Sequence, residues 1–98
     1  MLTKKYAKDK KTCKVTFALP DKVNATSVLL HGDFTDWEKY PLKMKHYKDG
    51  NFKVSVELEA GKSYRYRYQL DGERWENDWE ADTYAPNEFD SEDSVVQV

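Results

Sequence analysis

Between residues 52 and 59 apolar and polar side chains alternate without a break. Phe52, Val54, Val56 and Leu58 fall on one side, and Lys53, Ser55, Glu57 and Glu59 on the other. A period of two is that of a strand with one face in a core and one in water. Ala60-Gly61-Lys62 then reads as a turn. After it Tyr64, Tyr66, Tyr68 and Leu70 alternate with Arg65, Arg67 and Gln69. The two runs are predicted to pair as a hairpin, with Lys53 and Glu57 opposite the Arg-bearing face. Lys14-Val15-Thr16-Phe17-Ala18-Leu19 also alternates, and it stops at Pro20-Asp21. Residues 27–31, centred on Val28-Leu29-Leu30, predict a more buried strand. Residues 40–47 predict a short strand past Pro41, and residues 94–98 a final one. Asp49-Gly50-Asn51 and Asp71-Gly72 mark turns. No segment sustains a helical period. Short strands at near-regular spacing, with turn residues between them, predict an all-β, immunoglobulin-like β-sandwich.

Composition narrows this picture. The chain has 98 residues, enough for one small domain. Sixteen Lys and Arg stand against 18 Asp and Glu, which argues against a dedicated nucleic-acid binder. The balance hides an uneven distribution. Lys4, Lys5, Lys8, Lys10 and Lys11 make the start basic, and residues 1–11 are expected to form a flexible arm ahead of a domain over 12–98. The last third is acidic, from Glu73 through Asp93. Both ends read as solvated charge or as a contact surface for a partner. Cys13 is alone, so no intrachain disulfide is expected and a reducing cytoplasm fits. No apolar leader and no stretch of membrane-spanning length stands out, so no membrane partner is expected. The last predicted strand runs to residue 98, and the domain is expected to be complete.

The aromatic residues invite a chemical reading. Val28-Leu29-Leu30 leads into Gly32-Asp33-Phe34-Thr35-Asp36-Trp37, a polar turn that presents a Trp. Trp75 and Trp79 also lie in or beside turns, among charged neighbours. Each ring fits either the cap of a small core or a flat platform for a ligand. For Trp79 the cap is the better fit, because residues 77–82 read as a loop folded back onto the sandwich. Carbohydrate is the ligand that best suits Trp beside Arg and Gln. The apolar face of a pyranose packs on indole, and its hydroxyls need fixed donors such as the planar fork of Arg67. A nucleic-acid base could stack too, but the acidic last third would repel phosphate. Catalytic readings have less behind them. The loop acids between Asp71 and Asp93 show no marked pair for glycoside hydrolysis. His31 and His46 stand alone, no metal-ligand spacing appears, and the stretch from Asp90 to Asp93 lacks the glycine of a calcium loop. No cofactor is implied.

The motifs also occur in a particular order. Val15-x-Phe17 is followed by Gly32-Asp33-Phe34-x-x-Trp37, Asp49-Gly50-x-Phe52 and Tyr66-Arg67-Tyr68-x-x-Asp71-Gly72, then by Trp75 and Ser94-Val95-Val96-x-Val98. In this order they resemble carbohydrate-binding module family 48, the isoamylase N-terminal or early-set domain. That family includes the glycogen-binding domain of the AMP-activated protein kinase β subunit and the leading domains of branching and debranching enzymes. The resemblance implies an immunoglobulin-like sandwich of the early-set type that binds α-1,4-linked glucan: glycogen, starch or a maltooligosaccharide. It places two sugar-stacking plates at Trp37 and Trp75 and the basic contact at Arg67. It aligns Phe89 with a Leu that pokes through the sugar ring, and Ser91 and Asp93 with nearby polar contacts. Asp93 replaces an Asn of the pattern and so loses an amide donor. In amylolytic relatives the module often packs on a catalytic barrel. The alternative is an interaction module whose same face or acidic last third docks on a glucan-processing enzyme or another partner, and a small glycoside hydrolase is the third reading.

Overall fold

The computed structural model describes residues 2–88 and 91–98. Its strands are β1 (Leu2–Tyr6), β2 (Thr12–Leu19), β3 (Val28–Gly32), β4 (Leu42–Lys43), β5 (Lys45–His46), β6 (Phe52–Glu59), β7 (Ser63–Leu70), β8 (Arg74–Glu76), β9 (Thr83–Pro86) and β10 (Glu92–Gln97). One sheet has the order β1-β2-β6-β5. The other has the order β4-β3-β7-β10-β9, with β8 also paired to β7. The pairings are antiparallel, and the two sheets form the all-β sandwich that the alternation predicts. Cys13, Val15, Phe17 and Leu19 of β2, with Phe52 and Leu58 of β6, are buried between the sheets. Opposite them lie Val28 and Leu30 of β3 and Tyr66, Tyr68 and Leu70 of β7. The Phe17 ring stacks on Phe34 at 5.4 Å and meets Tyr66 edge-on at 5.0 Å. Burying each large apolar side chain contributes about 1.5–3 kcal/mol.

Three expectations need correction. The runs on either side of Gly61 do not form a hairpin: β6 pairs with β2 and β5, and β7 with β3, β8 and β10. The turn instead carries the chain from one sheet to the other. Its backbone groups are taken by distant partners, since Ala60 N–H donates to Lys11 O at 2.9 Å and Gly61 N–H to Val98 O at 3.0 Å. Lys53 and Glu57 accordingly face Ala18 and Lys14 on β2, not the arginines. The Lys-rich start, expected as a flexible arm, contains β1, held in register with Leu2 opposite Phe17, Lys4 opposite Val15 and Tyr6 opposite Cys13. Leu2 packs on the core, while Lys4 Nζ reaches Asp82 at 2.6 Å and Tyr6 donates to Val98 O. The short strand expected over 40–47 is two strands in different sheets, and Met44 is buried where the chain crosses between them.

The loop over 77–82 does fold onto the sandwich, but its inward residue is Asp78. Trp79 stays 53% exposed, with Lys22 Nζ 5.0 Å from its ring. Asp78 is 1% exposed, and its Oδ2 accepts from the Tyr66 hydroxyl at 2.8 Å and the Tyr68 hydroxyl at 3.3 Å. Its Oδ1 accepts the Glu80 N–H at 2.9 Å. Two phenols can sit in the core because this one carboxylate satisfies both. Farther along, Asp71 accepts from the backbone N–H groups of Ser27 and Thr26 and from the Thr26 hydroxyl, which holds its carboxyl below the usual range. Its contribution to stability is therefore present at neutral pH and is lost as the pH falls.

Asp78→Ala leaves two buried hydroxyls without this acceptor. Denaturant titration should show a loss of about 2–4 kcal/mol, part of which returns when Tyr66→Phe and Tyr68→Phe are added. The alkaline limb gives a second prediction. Burial raises both phenols above their ordinary range, and the Asp78 carboxylate adds to this. The folded phenols keep protons that the unfolded ones release, so stability holds below about pH 10 and falls above it. The slope expected is about 1.4 kcal/mol per pH unit for each phenol, and Tyr68→Phe should remove its share.

Candidate functional site

The outer face of the larger sheet is set by strand register. His31 stands opposite Arg67, and Leu29 opposite Gln69, across β3 and β7. Gln69 in turn stands opposite Trp75 across β7 and β8. Because side chains alternate along a strand, the inward placement of Tyr66 and Tyr68 puts Arg65, Arg67 and Gln69 outside. Trp75 lies over the His31 ring, with centroids 4.6 Å apart and planes tilted by 47°.

Trp37 reaches the same face from the turn after β3. Gly32 is needed there for space: its φ of −176° is ordinary extended backbone, but an added Cβ would lie 2.6 Å from Arg65 O. Asp36 and Trp37 then take φ values of 52° and 54°. Left-handed backbone is costly for an aromatic residue, and it persists only where surrounding contacts impose it. Those contacts are visible. Asp33 Oδ1 accepts the Trp37 Nε1–H at 3.1 Å, while Asp33 Oδ2 accepts the Arg65 backbone N–H at 2.8 Å. The Trp37 carbonyl accepts from the Thr35 hydroxyl at 2.9 Å and lies 3.3 Å from His31 Nδ1.

Trp37, Arg67 and Trp75 line one open depression of about 600 Å³, so the three residues central to the resemblance are brought together. Both indoles are partly exposed. Asp93 is also in the wall, but it is 7% exposed and engaged. Its Oδ2 takes Arg65 Nη1 at 3.3 Å, and its Oδ1 takes Asn87 Nδ2 at 3.2 Å. Ser91 is exposed outside the lining, with its N–H on Asn87 Oδ1. Phe89 lies outside the described residues. Trp79 takes no part in the wall.

The two arginines differ sharply. Arg65 is committed to Asp93 and to the Pro86 carbonyl at 3.0 Å. The Arg67 guanidinium has no hydrogen bond or ion pair to any described residue, and its Nε is buried without a partner among them. Among the described residues the charges around the depression nearly cancel, with Arg65 and Arg67 against Glu38, Glu88 and Asp93. That balance suits a neutral, hydroxyl-rich ligand better than a polyanion. Sequence reading singled out neither the Arg65–Asp93 pair nor His31 beneath Trp75. Arg65 shares a strand face with Arg67, a signal that was present. The His31 contact arises only when β8 folds over β3's neighbour.

A family model described as the glycogen recognition site of AMP-activated protein kinase matches residues 10–98, and the chain belongs to that family. The match begins after β1. No curated protein matches the chain. Among the described residues, no helix is long and apolar enough to cross a membrane.

Gly32→Ala tests how tightly the Trp37 turn is built. The new methyl meets the Arg65 carbonyl oxygen as well as the Phe34 ring, and the backbone contact cannot be relieved by a side-chain move, so the turn must shift. A loss of about 1–3 kcal/mol in denaturant titration is expected, along with a displaced Trp37 indole N–H resonance.

Proposed function

We propose that the chain is a non-catalytic binding module for α-glucan, taking glycogen, starch or a maltooligosaccharide. Family membership supports a glycogen-binding module. The observation that carries the residue-level reading is the Arg67 guanidinium, left without a described partner beside two partly exposed indoles in one depression. In this reading the C–H faces of successive glucose rings pack on Trp37 and Trp75, and Arg67 donates to the hydroxyls at their rims. Ring stacking is directional, and Trp37 is held by Asp33 and by the turn, so little ordering is left for the bound state. Asp93 acts mainly by fixing Arg65, which keeps that guanidinium from competing with Arg67. Phe89 and Ser91 are proposed to extend the contact along a longer glucan.

Isothermal titration with maltoheptaose and β-cyclodextrin tests the proposal. Wild type should give saturable heat at about millimolar sugar. Trp37→Ala, Trp75→Ala and Arg67→Ala should each weaken binding by at least about tenfold, or ~1.4 kcal/mol. Absence of heat in wild type sinks the function. Undiminished binding by both Trp variants sinks the site. Release of reducing sugar from starch would overturn the non-catalytic reading.

A further inference from the structure

His31 is 2% exposed and touches both indole-bearing segments. Its Nδ1 lies 3.3 Å from the Trp37 carbonyl, and its Nε2 lies 2.9 Å from Gln69 Oε1. The orientation of the Gln69 amide is fixed from its other end, where Nε2–H donates to the Gly72 carbonyl at 3.1 Å. Turning that amide over would set its oxygen against the Gly72 oxygen. Both ring nitrogens of His31 therefore face acceptors. A neutral imidazole carries one N–H and can satisfy only one of them, leaving a lone pair against an oxygen at the other. The doubly protonated ring donates to both, with the Trp75 ring centroid 4.6 Å away at a tilt of 47°.

We propose that His31 is the positioning residue for both tryptophan plates, and that its second proton locks Trp37 in place through the Trp37 carbonyl. This goes beyond the assignment of Trp37 and Trp75 as sugar plates, and its effect on affinity rests on that reading. The lock acts where it is needed. Trp37 has a left-handed backbone, and its carbonyl otherwise has the Thr35 hydroxyl as partner. The Nε2 contact is the shorter, 2.9 Å against 3.3 Å, so the single proton of a neutral ring is assigned to Nε2 and donated to Gln69, and in that tautomer Nδ1 presents a lone pair to the Trp37 carbonyl. Protonation turns the same contact into a hydrogen bond. The charged groups on the surrounding elements are few. Arg67 stands directly across β7, and Lys43 stands on β4 opposite Leu29. Asp33, Asp36, Glu38 and Lys39 belong to the turn that carries Trp37. On β8, Arg74 and Glu76 flank Trp75 and alternate to the opposite face. The carbonyl and amide oxygens and the tilted indole ring thus form the immediate shell of the ring, and Arg67 is its cationic neighbour across the strand pair.

The test is an NMR titration of the wild-type chain between about pH 5 and pH 8, the range in which imidazole changes charge. It follows the His31 ring carbon-bound protons together with the Trp37 and Trp75 indole N–H signals. His46 serves as the internal control; it lies in the other sheet, stacked on Phe52. Maltoheptaose affinity is measured over the same range. The indole signals should move together with the His31 ring signals and not with those of His46, and affinity should tighten about threefold or more toward low pH. His31→Gln should flatten both profiles. Indole signals that stay flat while His31 titrates overturn the proposal, as does a His31 ring that keeps one charge state throughout. Indole signals that follow His31 in a chain that binds no sugar at any pH leave the positioning role standing and reject the glucan reading instead.

Discussion

Strand β7 is hydrogen-bonded along both edges, to β3 and to β10, and its register is the constraint on which the molecule depends. The same alternation that sends Tyr66 and Tyr68 inward sends Arg65 and Arg67 outward. A slip by one residue would put two guanidinium groups into the core and two phenols into the depression. The register is held from inside by Asp78, which takes both phenol hydroxyls, and from outside by Asp33, which takes the Arg65 backbone N–H. Core and candidate binding face are thus two readings of one strand. A change that loosens either side is felt on the other.

Period-two alternation made β2, β6 and β7 legible, and the facing of Arg65, Arg67 and Gln69 followed from it. The mistakes have a common physical origin. A turn signal such as Ala60-Gly61-Lys62 reports that the chain reverses, but not whether the next strand joins the same sheet or the opposite one. In the fold Lys11, at the end of the β2–β6 ladder, and Val98, beyond β10 of the other sheet, take the turn's backbone groups. Residues 2–6 looked like a polar arm because two of the three positions facing β2's inward side are Lys4 and Tyr6, whose polar ends find Asp82 and Val98. Trp79 looked like the inward member of its loop, yet a carboxylate was wanted there once two tyrosine hydroxyls had been buried.

The candidate site divides in the same way. Trp37, Arg67 and Trp75 were legible because motif order fixes each of them relative to a turn. The state of Asp93 was not, because its pairing with Arg65 needs β7 and β10 side by side. Substituting a carboxylate for an amide at that position looked like the loss of one donor. In the fold it also supplies the partner that Arg65 requires. The contact of His31 with Trp75 is likewise invisible in sequence, since the two residues lie on strands separated by β7.

The crossing at Gly61 also orders events in time as the chain is made. By Glu59 every strand of the smaller sheet has been synthesised, and it can close on itself. The larger sheet cannot, because β3 has only the two residues of β4 to pair with until β7 arrives. Val28-Leu29-Leu30, the most apolar strand segment of the chain, therefore waits with an open edge while the next forty or so residues emerge, at about 5–20 per second. An apolar strand with an unpaired edge is a template for another nascent copy. The topology thus makes β3 the strand of the larger sheet whose open edge must wait for a partner made about forty residues later.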